Sequence, residues 1–448
     1  TNSDSVVTNL ITDATNSTYS FAPPNSASTY TISFQVIVTN IYGASTSSVV
    51  TLTVNPSVVP YTTTDTSPGP GNGSTNVYAF ANGSVTFSAA FAGPVPITMQ
   101  WQADTGGGYN GILNATNGSV TLTNLQSSDD GNYRAKAHNS GGDGFSTPSP
   151  LTVLADPAAP DSGQAYAYAV FTNNPAAYWR FSETLENATN SVQAYDYSGH
   201  NLNATFGHAA YNAVDGYPGP LPSDGLPGFE STNGSVTLLN AVDNSFLTAP
   251  SLNLNTNTVT ITAWIKPTGA IGGYWGLFTW ANGSDKAAFG FGGNVTNNMA
   301  ELGYAWNTNS SSTWGYHSDL YPPFDQWSFV ALTITPTNTT IYLYYVDINT
   351  GATNLLKSVQ TINNSPEAFS GGTTWIGSDS YSGRNFNGSI DEVAVFNHSL
   401  SEGQVQGVFL KAIGASGVAP QVTATTIYPS APVYSGQNVR LTANANGT

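Results

Sequence analysis

Short stretches of alternating apolar and polar residues run along most of this chain. Phe34, Val36 and Val38 alternate with Gln35 and Ile37, and Val50, Leu52 and Val54 alternate with Thr51 and Thr53 until Asn55-Pro56 ends the run. A period of two puts one face of a strand inward and the other outward. A polar Ser/Thr/Pro/Gly stretch over 57–75 reads as a linker. Alternation resumes at Val85-Thr-Phe87-Ser-Ala89 and continues through Trp101, Val120-Thr-Leu122, Tyr133 to Ala137 and Leu151-Thr-Val153. Asp156-Pro-Ala-Ala-Pro-Asp161 forms a second linker. Beyond it a strand-rich region carries eight of the nine Trp residues, and a last unit runs to Thr448.

Composition narrows the class. The chain has 448 residues with 9 Lys plus Arg against 26 Asp plus Glu, for a formal net charge of −17. A polyanion of this kind repels nucleic-acid backbones, so nucleic acid is not expected as a partner. Only 8% of residues are charged, against about 25% in ordinary soluble domains. Ser, Thr, Asn, Gly and Tyr must therefore keep the surface wet. The chain lacks Cys, which removes disulfides, thiol nucleophiles and Cys-bound zinc. No apolar run approaches the ~18 residues of a membrane-spanning helix. Low charge and few Lys point to an exported bacterial surface protein. Asn-x-Ser/Thr triplets recur, for instance at Asn16, Asn82, Asn203, Asn282 and Asn387, as this composition produces by chance. The chain opens on Thr-Asn-Ser and reads as a processed form or a piece of something longer. The expected fold class is all-β, built of sandwiches.

Leu125-x-x-x-Asp129-x-Gly131-x-Tyr133-x-Ala135-x-Ala137-x-Asn139 resembles the E–F corner and F strand of immunoglobulin-like domains. The resemblance covers residues 57–155. It places Tyr133 as the corner tyrosine and Trp101 as the core Trp of strand C, with Ala89 and Ala135 at the usual disulfide positions. The ends of the chain resemble parts of the same domain. Asn16 to Phe21 lines up with Asn117 to Leu122, and Phe34-x-Val36-x-Val38-x-Asn40 with Tyr133-x-Ala135-x-Ala137-x-Asn139. Residues 1–56 thus read as a C-terminal half domain. Val439-x-Leu441-x-Ala443 lines up with Val85-x-Phe87-x-Ala89, so 416–448 reads as the N-terminal strands of one. Two readings stay open: a stretch of a tandem array, or head-to-tail assembly of copies in which one end completes the other. The joined halves would still lack the equivalents of Val95 to Trp101.

Residues 156–415 carry a second resemblance. Tyr178-Trp179-Arg180-Phe181, Asp196-Tyr-Ser198-Gly199-His-Asn201, Thr260-Ile-Thr-Ala-Trp264 and the closing Asn387-Gly-Ser-Ile390-Asp391-Glu392-Val393 look like the motifs of laminin-G-like, concanavalin A-like jelly rolls. Ser399 with Glu402 is expected to cap a short helix after the last strand.

Catalysis is not expected. Glycosidic cleavage needs two facing carboxylates, and the E-x-D-x-x-E pattern of related glucanases is absent. Glu183 and Glu186 fall in a loop. Asp391 and Glu392, as strand neighbours, are expected on opposite faces, one structural and one facing solvent. The five His residues lack metal-ligand spacing. Relatives of this fold hold Ca²⁺ at a sheet rim through carboxylates and carbonyls, which makes Asp196 and Asp391 the candidate ligands. For a glycan, Tyr304 and Trp306 with Trp314 and Tyr316 read as the two strands of one hairpin, either packing the sheet or forming a sugar platform, with Asp319, Asn307 and Asn309 as hydrogen-bonding neighbours. The expected role is structural or adhesive, as the repeating unit of an extracellular fibre. The alternative is the carbohydrate-binding portion of a secreted polysaccharide-degrading enzyme.

Overall fold

A computed structural model describes residues 9–12, 14–21, 23, 28–55, 58–185, 190–212, 217–240, 242–307, 310–380, 383–415, 421–428 and 440–446. The described chain is all-β, with sandwiches of immunoglobulin-like and concanavalin A-like type. The abundance of Asn has a local cause: most non-glycine residues with positive φ are Asn, including Asn82, Asn124, Asn201 and Asn298. Asn tolerates this left-handed conformation best among residues with a side chain, so it serves the many turns.

In the immunoglobulin-like unit, Tyr61–Ser67, Ser84–Ala92 and Ser119–Thr123 form one sheet. The facing sheet runs Asn76–Phe80, Ser149–Leu154, Gly131–Asn139, Thr98–Asp104. Phe87 lies between Trp101 and Tyr133, with ring centroids at 6.4 and 5.2 Å. Ala89 and Ala135 are buried beside them, so apolar packing does the work a disulfide would do. The Tyr133 hydroxyl donates to the Asp129 carbonyl at 2.7 Å, closing the expected corner. Tyr133→Phe removes that bond and leaves the carbonyl without its donor. A loss of about 1 kcal/mol is expected in urea unfolding, and an unchanged midpoint would contradict the role.

The terminal strands repeat this unit's pairing. Asn40 faces Gly43 as Asn139 faces Gly142, and Ile32 faces Leu52 as Gly131 faces Leu151. The Ser47 hydroxyl accepts the Val36 amide just as that of Ser146 accepts the Ala135 amide. At the other end, Gln421–Tyr428 pairs with Arg440–Asn446 with a bulge between Val422 and Ala424, where Tyr61–Ser67 has one between Thr62 and Thr64. Residues 16–21 form no strand. In the intact unit their counterpart pairs with Ser84–Ala92, and the matching segment lies at the far end of this chain.

The larger unit has two stacked sheets. The first runs Ala177–Trp179, Gly388–Phe396, Val259–Pro267, Ser328–Ile334, Asn338–Val346, Thr353–Thr361. The second runs Gln193–Ala194, Ala204–Phe206, Leu247–Ala249, Thr373–Ile376, Gly276–Asn282, Asp285–Thr296, Met299–Ala305. Between them pack Trp179, Ile261, Leu332 and Val393 with Phe278, Trp280, Phe289 and Trp306. The outer face of the first sheet lies under the helices Ala165–Phe171 and Glu402–Ala412, with Trp264 stacked on Phe409. Burial on both faces explains why Val259–Pro267 is buried almost throughout rather than alternately. The helix cap is Ser401, whose hydroxyl accepts the Gln404 amide. This moves the expected Ser399–Glu402 box two residues on, to Ser401 and Gln404, and Glu402 instead pairs with Lys357.

The two units meet through backbone. Asn190–Ser191 adds in parallel to Asn76–Phe80, Gln193 donates to the Ser84 carbonyl, and Tyr195 sets its ring edge-on to Phe80. A strand from the jelly roll thereby covers an edge of the immunoglobulin-like sheet.

Candidate functional site

The outer face of the second sheet holds the candidate site. Three neighbouring strands place Thr279, Ala288 and Ala305 in one cross-strand row. Two residues along each strand, with a bulge in the first, the next row is Gly276, Gly290 and Gly303. Small side chains in register leave a trough on the sheet. The glycines are required by close backbone crossings: a Cβ on Gly290 would stand 2.2 Å from the Trp275 carbonyl oxygen, and one on Gly276 2.2 Å from that of Ser378.

The resulting groove is shallow and open to solvent. Tyr274 and Trp314 form an aromatic corner at its mouth, 42% and 36% exposed, with ring centroids 6.5 Å apart. Trp375 continues the Thr279 row on the far side. Lys286, Asp379 and Arg384 supply charge to the lining. Arg384 donates to Asp379 Oδ2 at 3.0 Å, and Lys286 Nζ donates to the Asp379 carbonyl at 2.8 Å. The Thr279 hydroxyl is buried in the groove and has no hydrogen-bond partner among the described residues. A buried polar group without a partner is uncommon and marks a place where a bound molecule can complete the bonding.

The anticipated aromatic platform divides. Trp314 is exposed at the groove. Tyr304 and Trp306 are 4% and 2% exposed, and the sheet sandwich claims them. Tyr304 donates to Gln360, Trp306 to the Ser365 carbonyl, and Tyr316 shares a hydrogen bond with Ser358. The expected hairpin is corrected: Ser310–Thr313 is a helical turn, and residues 314–316 form no strand. Asp319 is exposed, and its amide donates to the buried Glu301 carboxylate, which also binds His317 Nδ1. Asn307 is engaged by Glu367. Asn309 and Glu186 lie outside the described residues.

The two carboxylates weighed as calcium ligands are hydrogen-bonded within the chain. Asp196 accepts from the amides of Tyr178, Ser198 and Leu202 and from the Ser198 hydroxyl. It is the organiser of its own loop. Asp391 is fully buried, accepting from Asn233 Nδ2 and from the Glu392 amide. No group of three His, Cys, Asp or Glu residues able to hold a metal occurs among the described residues.

Glu392 is also fully buried, which corrects the expectation of a solvent-facing neighbour. Its φ is +54°, and with Val393 it faces Ala263 alone, a β-bulge. Glu392 lies on the outer face of its sheet with Tyr178 and Ala394, and the covering helices bury that face. Glu392 accepts from the Tyr178 hydroxyl and from Arg180 Nε, while Arg180 Nη2 donates to Glu230 at 2.7 Å. Burial, and then the charge of Glu392, push the Asp391 carboxyl well above the usual range. This cluster lies on the helix-covered side, away from the groove.

Glu183 is half-buried with its carboxyl turned inward, accepting the Tyr195 amide at 2.8 Å, and its Oε2 lacks a partner among the described residues. Burial pushes it up to about 7 from an ordinary 4.5. The folded chain then holds a proton that the unfolded chain releases, so stability falls as pH rises from about 4.5 to about 7. Glu183→Gln removes that loss. Urea midpoints of variant and parent should coincide at pH 4 and separate in the variant's favour at pH 8, by up to about 3 kcal/mol. A separation that does not change with pH would contradict it.

Residues 241–406 match the family profile Laminin_G_3, described as the concanavalin A-like lectin/glucanases superfamily. No curated protein matches the chain. Among solved structures, the N-terminal four Ig domains of Dscam1 isoform 8.4 share 15% identity over 27% of this chain and 26% of theirs, with a TM-score of 0.19. The tandem Ig repeats of Dlar share 14% over 28% of this chain and 82% of theirs, also at 0.19. The chain thus covers about a quarter of the Dscam1 structure's length. It is a modular protein in which an immunoglobulin-like unit precedes a concanavalin A-like jelly roll.

Proposed function

We propose that the chain is a non-catalytic, extracellular adhesive module that binds carbohydrate in the groove over Gly276, Gly290 and Gly303. The observation that carries this reading is the aromatic corner of Tyr274 and Trp314 above a glycine floor. Apolar ring faces beside a few convergent polar groups suit a saccharide, which offers C–H faces and hydroxyls together. Among the described residues the groove lining holds one carboxylate, Asp379, paired with Arg384, where glycoside hydrolysis needs two. The same binding role fits a surface adhesin or the appendage of a polysaccharide-degrading enzyme. No helix among the described residues is long and apolar enough to cross a membrane.

The test is affinity electrophoresis of the 1–448 chain through gels containing a panel of polysaccharides, with and without EDTA. Retardation by at least one polysaccharide supports the reading. Migration unaffected by every one counts against it. Retardation abolished by EDTA would return the rim carboxylates, calcium included, to consideration as the site.

Self-association is a second reading, favoured by one observation. The two-stranded sheet of Tyr30–Phe34 and Val50–Val54 turns Tyr30, Ile32, Phe34, Val50, Leu52 and Val54 to one face, and the terminal pairs reproduce registers of a complete sandwich. Head-to-tail completion between copies, or neighbouring domains along a longer chain, would each cover that face. Light scattering on the 1–448 chain separates them: concentration-dependent polymers support assembly, and a monomer at all concentrations removes it.

A further inference from the structure

Resting on the carbohydrate reading of the groove, we infer that its ligand is an acidic saccharide whose carboxylate or sulfate ester meets the groove-facing sides of Lys286 and Arg384, beside the Asp379 carboxylate they share. Cations are scarce in this chain, 9 in 448 residues at a net charge of −17. Two of them line this one groove, together with a single carboxylate, Asp379. The Arg384 guanidinium lies over the Tyr274 ring at 5.6 Å, and the Lys286 ammonium stands 5.8 Å from the Trp314 ring. Each wall of the aromatic corner therefore carries a positive charge beside the face on which a sugar ring would rest.

The electrostatics favour a further anion there. Lys286 is mostly buried, and burial together with the neighbouring Arg384 charge holds its ammonium below the usual lysine range, against the pull of Asp379. An incoming anion would interact favourably with both cations at once, as charge-assisted hydrogen bonds in a partly dry site. The nearest buried carboxylate at the Gly292 end, Glu301, is engaged by His317 and the Asp319 amide.

The experiment compares binding of the 1–448 chain to alginate (uronate carboxylates), dextran sulfate (sulfate esters) and laminarin (neutral) by calorimetry. Lys286→Met, Arg384→Met, the charge-keeping Lys286→Arg and Arg384→Lys, and Trp314→Ala are measured beside the parent. The expected result is binding to one of the two acidic polymers, weakened by salt, reduced about ten-fold or more by each Met variant and largely kept by the charge-keeping pair. Whether alginate or dextran sulfate binds identifies carboxylate or sulfate. Laminarin binding equal to the acidic polymers, untouched by the Met variants but lost with Trp314→Ala, overturns the acidic ligand and leaves the groove reading standing. Acidic binding that survives Trp314→Ala, or no binding at all, overturns both. Thermal unfolding of each variant confirms that it is folded. Should a Met variant fail to fold, binding that is the same at 50 and 300 mM salt overturns the inference by itself.

Discussion

Replacing Arg180 by Met should destabilise the jelly roll by about 3–5 kcal/mol, the largest single effect expected in this chain. Arg180 is 4% exposed and bonds both Glu392 and Glu230, and its guanidinium lies 5.4 Å over the Tyr197 ring. Met fills similar volume, so the loss measures charge rather than cavity. Without the guanidinium, Glu392 is a fully buried carboxylate beside Asp391, whose own carboxyl burial already pushes upward. Burial also raises Glu392, with Arg180 the main group opposing it. In the variant Glu392 would take up a proton on folding. The deficit should therefore be smallest near pH 4, where the unfolded carboxyl is also protonated, and grow as pH rises. Tryptophan fluorescence during urea unfolding reads this directly, because eight of the nine Trp residues lie in the larger unit. A loss below about 1 kcal/mol at pH 7 would show that the network does not hold the sheet to its covering segments.

Replacing Tyr274 and Trp314 together by Ala should lower saccharide affinity by roughly 10- to 100-fold, about 1.4 to 2.8 kcal/mol, while moving the urea midpoint little. Large aromatic side chains carry a disproportionate share of binding energy when their faces meet a ligand. Both rings stand at the mouth of the groove and are substantially exposed, so their removal opens no core cavity and costs little stability. By contrast, Trp306→Ala should lower stability and affect binding only through folding, since Trp306 is packed between the sheets. The opposite pattern, with binding lost on Trp306→Ala in a stable protein and unchanged in the double variant, would put the sugar elsewhere.

Much of the architecture was legible in the residues themselves. Tyr133, Trp101 and the alternation around them announce a sandwich because each is tied to one local geometry. The run from Asn387 to Phe396 did the same for the closing strand. Two features were hidden by long-range register. Gly276, Gly290 and Gly303 lie on three strands, and nothing local shows that they align into a floor. Tyr304 and Trp306 do share a face, as their spacing requires, but alternation cannot say whether that face meets core or solvent; the partner row through Phe278 and Phe289 decides for the core. The bulge at Glu392 was hidden for a related reason. One added residue in a strand leaves composition and pattern intact, and the cover that keeps Glu392 from water comes from segments distant in sequence. The cations of the groove, Lys286 and Arg384, are nearly a hundred residues apart and only pairing brings both to Asp379.

The central claim is that the outer face of the second sheet seats a saccharide. The most direct measurement is a crystal structure of the 1–448 chain soaked with an oligosaccharide that retards it in gels. Sugar density is expected against Trp314 and Tyr274. Density instead at the Asp196–Asn203 loop, or on the helix-covered side, with the groove empty at saturating ligand, would contradict it.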